Sequence, residues 1–318
     1  MQQDEKRAVQ VAAAGQPALR RACLVVNPTK HADVAQFRAA VLGGMADHGW
    51  SEPVWLETTA EDPGAGQAQM AVQAAVDLVL ASGGDGTITA CAAALAGSGI
   101  PLAVLPAGTG NLLARNLGLP LELCAALAVA LDGADRPLDV GSVNGRPFIV
   151  MAGVGLDAKM LESASEPLKK RAGWAAYGLA ALRHLLDRPV QVTLKADGGL
   201  PLHRRASAVI IGNVGSLQGG VPLLPDAQPD DGLLDVVVLS ARGLTGWLAL
   251  AVHVLQRRSA SRAVARLCFR QLRVELGHEQ PWELDGEVMG STRQLLVSIQ
   301  PAKVILRVPR TAECADPR

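Results

Sequence analysis

Three short apolar runs constrain most of what the first half of this chain can fold into. Ala22 to Val26 (ACLVV), Asp77 to Ala81 (DLVLA) and Leu102 to Leu105 (LAVL) are nearly continuous in small aliphatic residues. A strand with one wet face alternates apolar and polar residues, whereas a strand buried on both faces does not. Each run stops at a turn-forming segment. These are Asn27-Pro28, then Ser82-Gly83-Gly84-Asp85-Gly86-Thr87, then Pro106-Ala107-Gly108-Thr109-Gly110-Asn111. Between the runs lie stretches with helical spacing, clearest at 33–48, where Val34, Phe37, Val41, Leu42 and Met45 recur, and again at about 66–76 and 88–96. A shorter strand is predicted from Pro53 to Glu57, and a further helix ahead of 121–131. Strands alternating with helices predict an α/β fold, a doubly wound open parallel sheet with helices on both faces.

The pattern changes after Asp132-Gly133. Short strands with glycine turns follow: Leu138–Val143, Phe148–Ala152, Val190–Ala196, Ala206–Gly212, Leu233–Leu239, Leu272–Glu275 and Leu295–Val308. This half is predicted to be mostly β and sandwich-like, with helical insertions at about 165–187 and 243–258. The organisation expected is a flexible leader at 1–20, an α/β domain at 21–136, a β-rich domain at 137–308 and a tail at 309–318.

Composition narrows the function. The 318 residues are 49% hydrophobic and 19% charged, enough for a sizeable core and too apolar for a disordered chain. Thirty basic and thirty acidic residues cancel, which removes the electrostatic signature of a nucleic-acid binder. Cys23, Cys91, Cys124, Cys268 and Cys314 are scattered, with no CxxC pair, so reduced thiols and a cytoplasmic setting are expected rather than zinc or disulfides. The first twenty residues hold no apolar core of signal-peptide length. Mean hydropathy is +0.21, yet apolar stretches such as Leu244 to Leu255 fall short of the roughly 20 residues that span a bilayer. A membrane partner would be touched, not crossed.

The two glycine-rich segments carry the chemistry. In an open parallel sheet, ligands bind where strand ends meet helix N-termini. Glycines there let backbone amides approach phosphate oxygens, and the helix dipole favours the anion. Thr87 and Thr109 each add a hydroxyl. Asp85 would repel a phosphate unless a cation lay between them, and Mg2+ is the natural one. A Rossmann dinucleotide site needs G-x-G-x-x-G after the first strand, where this chain has Asn27-Pro28-Thr29-Lys30, and a Walker A sequence is also missing.

The ordered set NPTK (27–30), GGDGT (83–87), PAGTGNLLAR (106–115), AGVGLDA (152–158), PDDGLLDV (229–236) and LDGE (284–287) resembles the diacylglycerol kinase catalytic-domain proteins, the soluble bacterial lipid kinases similar to sphingosine and ceramide kinases. The likeness covers about residues 21–308. It implies ATP held between an α/β domain and a β-sandwich-like domain, and a lipid acceptor met at the membrane surface. On that resemblance Asn27, Pro28, Thr29, Lys30, Gly83, Gly84, Asp85, Gly86, Thr87, Gly108, Thr109 and Asn111 contact the nucleotide, with either Thr58 or Thr59. Asp285 and Glu287 match the catalytic acidic motif, with the base left open between them. Asp231, with backbone near Gln228 and Leu233, matches a magnesium site, and Asp157 falls where relatives approach the acceptor head group.

Phosphoryl transfer needs positioning, charge neutralisation and a group that orients the acceptor hydroxyl, and either acid of LDGE can serve that last need. Three departures stand out. Lys30-His31 replace the usual Ser-Gly after NP, Thr89-Ala90 stand where many members have Asn-Glu, and Leu112 replaces a carboxylate of the metal network. The helix expected at 165–187 begins Lys169-Lys170-Arg171 and continues through Trp174, which suits either an interfacial helix on anionic lipid or a core helix whose lysines reach water. A kinase for a soluble acceptor and a non-catalytic nucleotide-binding module are the competing functions, and retention of both acids of LDGE disfavours the second.

Overall fold

The computed structural model describes residues 20–155, 189–216, 222–241, 246 and 264–310. Asp157, the Lys169–Arg171 cluster and the helices expected at 165–187 and 243–258 lie outside the described residues, apart from Gly246.

The first half is built as its apolar runs dictate. Strands β1 (Ala22–Val26), β2 (Val54–Glu57), β3 (Leu78–Gly83) and β4 (Pro101–Pro106) form a parallel sheet in the order β2-β1-β3-β4. Helices α1 (Val34–Asp47), α2 (Ala65–Gln73), α3 (Asp85–Leu95), α4 (Leu112–Asn116) and α5 (Leu123–Asp132) surround it. Successive residues of a strand point to opposite faces, and both faces are covered. Leu24, Leu80 and Leu105 meet α1 and α5 through Phe37, Val41, Leu127 and Leu131. Val25, Val79 and Val104 meet α2 and α3 through Ala68, Ala71, Ile88 and Leu95. Full burial of one such aliphatic side chain stabilises the fold by roughly 1.5–3 kcal/mol. Asp33 caps α1 by accepting the Gln36 amide at 2.9 Å, and the Asp62 carboxylate takes the Gly64 and Gly66 amides at the start of α2.

The second half is β-rich. It comprises β5 (Ala134–Val143), β6 (Arg146–Phe148), β7 (Met151–Gly155), β8 (Val190–Ala196), β9 (Leu202–Ala206), β10 (Ala208–Gly212), β11 (Leu234–Leu239), β12 (Val264–Phe269), β13 (Gln271–Leu284) and β14 (Glu287–Val308). One sheet path runs through both halves, β12-β11-β10-β7-β13-β14-β4-β3-β1-β2. The join is Ile305 and Leu306 of β14, which lie parallel to Pro101 and Leu102 of β4.

Four sequence expectations are corrected. Helix α3 starts at Asp85, not near 88, so Gly84 alone separates it from β3. The run Phe148–Ala152 is two strands, because the amides of Ile149 and Val150 leave the ladder for a side chain described below. Strand β9 (LHRRA) is too polar to be read as a strand, and β12 (VARLCF) is not among the strands expected. Finally, β13 and β14 are 14 and 22 residues long, with register shifts between Glu275 and Gln280 and between Trp282 and Glu283 that break their alternation.

Candidate active site

The chain places β2 on one side of β1 and β3 on the other, a switch point at which open α/β sheets bind ligands. Three loops leave the carboxyl ends there. The Asn27 amide donates to the Ser82 carbonyl at 2.8 Å, and the Ala107 amide to the Gly83 carbonyl at 3.0 Å, so the loops are tied edge to edge. A Cβ on Gly108 would sit 2.7 Å from the Gly84 Cα, which makes Gly108 a residue of close approach, not merely of flexibility.

Two of the three loops are braced by an asparagine of their own. Asn27 Oδ1 accepts the Thr29 amide at 3.1 Å and the Thr29 hydroxyl at 2.7 Å, over a short 3-10 turn, Pro28–Lys30. Asn111, in the left-handed region at φ 47°, accepts the Gly108 amide and donates to the Gly108 carbonyl, both at 2.9 Å. Thr87 is buried and folded back on Gly83, where a Cβ would lie 2.6 Å from its own. Thr109 is exposed at the rim. Thr58 is buried, its amide on the Val26 carbonyl at 2.8 Å, whereas Thr59 is exposed and its hydroxyl accepts the Asp62 amide. The side chain of Lys30 reaches over this floor. Its Cε lies 3.8 Å from the point a Gly84 Cβ would occupy, and the residue makes no ion pair among those described.

His31, noted in the sequence only as a departure, also belongs to this edge. Its Nε2 is 3.1 Å from the Ser82 hydroxyl and its ring stacks on Phe37 at 3.9 Å between centroids; burial lowers its pKa. Asp85, the residue expected beside a cation, faces α4. Its Oδ1 accepts the Leu112 amide at 2.7 Å, and burial raises its pKa against the pull of the amides of residues 111–113. Leu112 itself is buried in the core.

The acidic motif is the two-residue hairpin between β13 and β14. Asp285 and Gly286 have φ of 45° and 89°, and Leu284 pairs with Glu287, the geometry of a type I′ turn. The two acids of the motif do different things. Asp285 is buried, with Oδ1 accepting the Val150 and Met151 amides at 2.9 and 2.8 Å and Oδ2 accepting the Ile149 amide at 3.0 Å and the Thr89 hydroxyl at 2.7 Å. Burial pushes its pKa up, and these four donors oppose the rise. Glu287 is exposed, and its Oε1 lies 2.7 Å from the position of a Cβ on Gly86, in the first turn of α3. A helix N-terminus attracts a carboxylate. Buried Glu283, missed in the sequence, accepts the Gly286 amide at 2.8 Å and braces the turn.

The second acidic loop lies elsewhere. Asp139, another buried carboxylate not foreseen, accepts the Gly232 and Ala302 amides at 2.7 Å each and so anchors residues 229–233 against a part of β14 remote in sequence from Glu287. Asp231 and Gln228 are exposed, and Asp231 Oδ1 accepts the Leu233 amide at 2.9 Å. Burial, and then the charges of Asp231 and Asp226, raise the pKa of Asp235 despite its bond from the Cys268 thiol. These hard oxygen donors suit Mg2+, with backbone carbonyls completing the set. Among the described residues no three His, Cys, Asp or Glu side chains converge on one point. No described helix is long and apolar enough to cross a membrane.

Known proteins fit the same frame. Residues 21–143 match the diacylglycerol kinase catalytic domain, and residues 149–308 match the YegS C-terminal NAD kinase beta sandwich-like domain. A "Probable lipid kinase YegS-like" of Pseudomonas aeruginosa is 35% identical over 290 residues, 90% of this chain and 94% of that one. A "Diacylglycerol kinase" of Bacillus subtilis is 30% identical over 278 residues, 86% of this chain and 91% of that one. A solved structure of a diacylglycerol kinase from Bacillus anthracis shares the fold, with a TM-score of 0.75 at 24% identity, covering 93% of this chain and 99% of that one.

Proposed function

Because the chain belongs to the diacylglycerol kinase catalytic-domain family of lipid kinases, we propose that it transfers the γ-phosphate of ATP to a hydroxyl of a diacylglycerol-like or related lipid. The observation that carries this reading is the exposed Glu287 carboxylate set against Gly86, beside the glycine floor.

On this reading the absence of side chains at Gly84 and Gly108 lets the phosphates approach the floor closely, and Lys30 lays a positive charge across them. Thr58 or Thr59 and the rim hydroxyl of Thr109 add contacts to the nucleotide. Mg2+ supplies charge neutralisation on the phosphate oxygens. Asp231, with the carbonyls of Gln228 and Leu233, would hold a structural ion, while Asp85 fixes α3 against α4. Glu287 accepts the proton of the lipid hydroxyl as that oxygen attacks the γ-phosphorus and the bond from that phosphorus to the bridging oxygen breaks, releasing ADP. Asp285, with both oxygens committed to donors, sets the turn from which Glu287 projects. Asp157 is assigned to the acceptor head group. The protein would act from the cytoplasmic side, in peripheral contact with the membrane.

The test is a labelled-ATP assay in mixed micelles against diacylglycerol, phosphatidylglycerol, a sphingoid base and ceramide, with NAD as the soluble acceptor. Label entering a lipid is expected. Label entering NAD alone would overturn the lipid assignment, and label entering none would overturn the kinase reading for these acceptors.

A further inference from the structure

The acidic hairpin touches helix α3 twice. Glu287 lies at Gly86, and Asp285 takes the hydroxyl of Thr89, three residues further along the helix. Positions i and i+3 share a helix face, so one face of α3 contacts both acids of the motif. Three of the four donors to Asp285 are amides of residues 149–151, in the same half of the molecule as the hairpin. Thr89 is the fourth, and it comes from the nucleotide half. A helical threonine hydroxyl ordinarily bonds a carbonyl in the preceding turn of its own helix. Here it donates at 2.7 Å to a carboxylate, the stronger, charge-assisted kind of bond.

We propose that Thr89 is a positioning residue: its hydroxyl clamps the Asp285 turn onto α3 and thereby fixes Glu287 beside the phosphate floor. Thr89 need not touch ATP or lipid. The inference rests on the reading of Glu287 as the proton acceptor, because the clamp matters to turnover through that side chain.

The test uses the full chain with Thr89→Val, which keeps the shape and loses the donor, Thr89→Ser, which keeps the donor, Glu287→Gln and the Thr89→Val/Glu287→Gln pair. Loss of a hydrogen bond to a charged group predicts that Thr89→Val lowers kcat about tenfold, with KM for ATP within about twofold and Thr89→Ser near the parent. In the Glu287→Gln background, Thr89→Val should cost little more. Hydrogen exchange of the 284–288 segment should rise in Thr89→Val and not in Thr89→Ser. Should Thr89→Val fail to fold, Thr89→Ala takes its place. Parent kcat in Thr89→Val alongside an impaired Glu287→Gln would overturn the clamp. Parent kcat in Glu287→Gln would instead remove the base assignment, and the clamp would then be decided by exchange: unchanged protection in Thr89→Val would sink it.

Discussion

At the ends of β1, β3 and β4 the α/β half presents a floor of glycines, and the neighbouring polar side chains turn back to brace it. Asn27 holds Thr29, Asn111 holds Gly108, and Thr87 lies folded on Gly83. The hairpin facing it is built the other way round. Backbone amides of residues 149–151 are spent on holding a side chain, Asp285, so that a neighbouring side chain, Glu287, stands exposed. A phosphate is large, multiply charged and suited to many weak donors, whereas a single proton needs one basic atom in one place. The contrast between a backbone floor and a side-chain tip suits the two tasks proposed for them.

The contrast can be broken at the tip first. Glu287→Gln keeps the size of the side chain and removes its basicity, so turnover should fall by at least about 10²-fold with little change in ATP affinity or melting temperature. Steady-state kinetics beside a thermal melt separates the two. Asp285→Asn should behave in the opposite sense. An amide cannot accept with both of its terminal atoms, so two buried donors would face an NH2 group, at roughly 1–3 kcal/mol each. A loss of about 3 kcal/mol in urea unfolding is expected, with activity falling because the turn that carries Glu287 is loosened. Equal stability in Asp285→Asn and parent would show that the turn does not depend on these bonds.

On the floor, Gly108→Ala forces a methyl against the Gly84 backbone, which flexible side-chain motion cannot relieve. It should cost about 1–3 kcal/mol of stability, as overpacking does, and raise KM for ATP more than it lowers kcat. The smallest effect belongs to Lys30→Met. Lys30 is exposed, so its charge is screened, and ATP affinity should weaken only a few-fold, with the difference from the parent fading in high salt.

The N-terminal elements were legible in the sequence because burial on both sheet faces writes itself as unbroken aliphatic runs, and the helices as 3.6-residue periodicity. Expected bounds for β1 coincide with those found, and those of α1 differ by one residue at each end. The C-terminal half hid more, for identifiable reasons. Ile149 and Val150 have strand-like composition, yet their amides serve Asp285. In β9 the exposed edge residues His203, Arg204 and Arg205 leave no apolar alternation to read. Within the site, the acidic hairpin and both glycine loops were visible as motifs. The division of labour between Asp285 and Glu287 was not, since it depends on which carboxylate meets amides from residues more than a hundred positions away. Asp139 carries no local signal, because it bonds main chain brought to it only by the fold, whereas Glu283 bonds the Gly286 amide three residues on within its own hairpin.

The join between β4 and β14 also has a consequence for how the protein comes into being. Strand β4 is finished at Pro106, but the neighbour on its outer side is Ile305–Leu306, about two hundred residues later. During synthesis the nucleotide half can assemble its helices and three of its strand pairings while that edge stays open. An unpaired apolar edge is a template for pairing with other chains, and long-range partners arrive slowly. The nascent chain therefore spends most of its translation with this edge of the sheet unpaired, the interval in which it is most open to pairing with other chains.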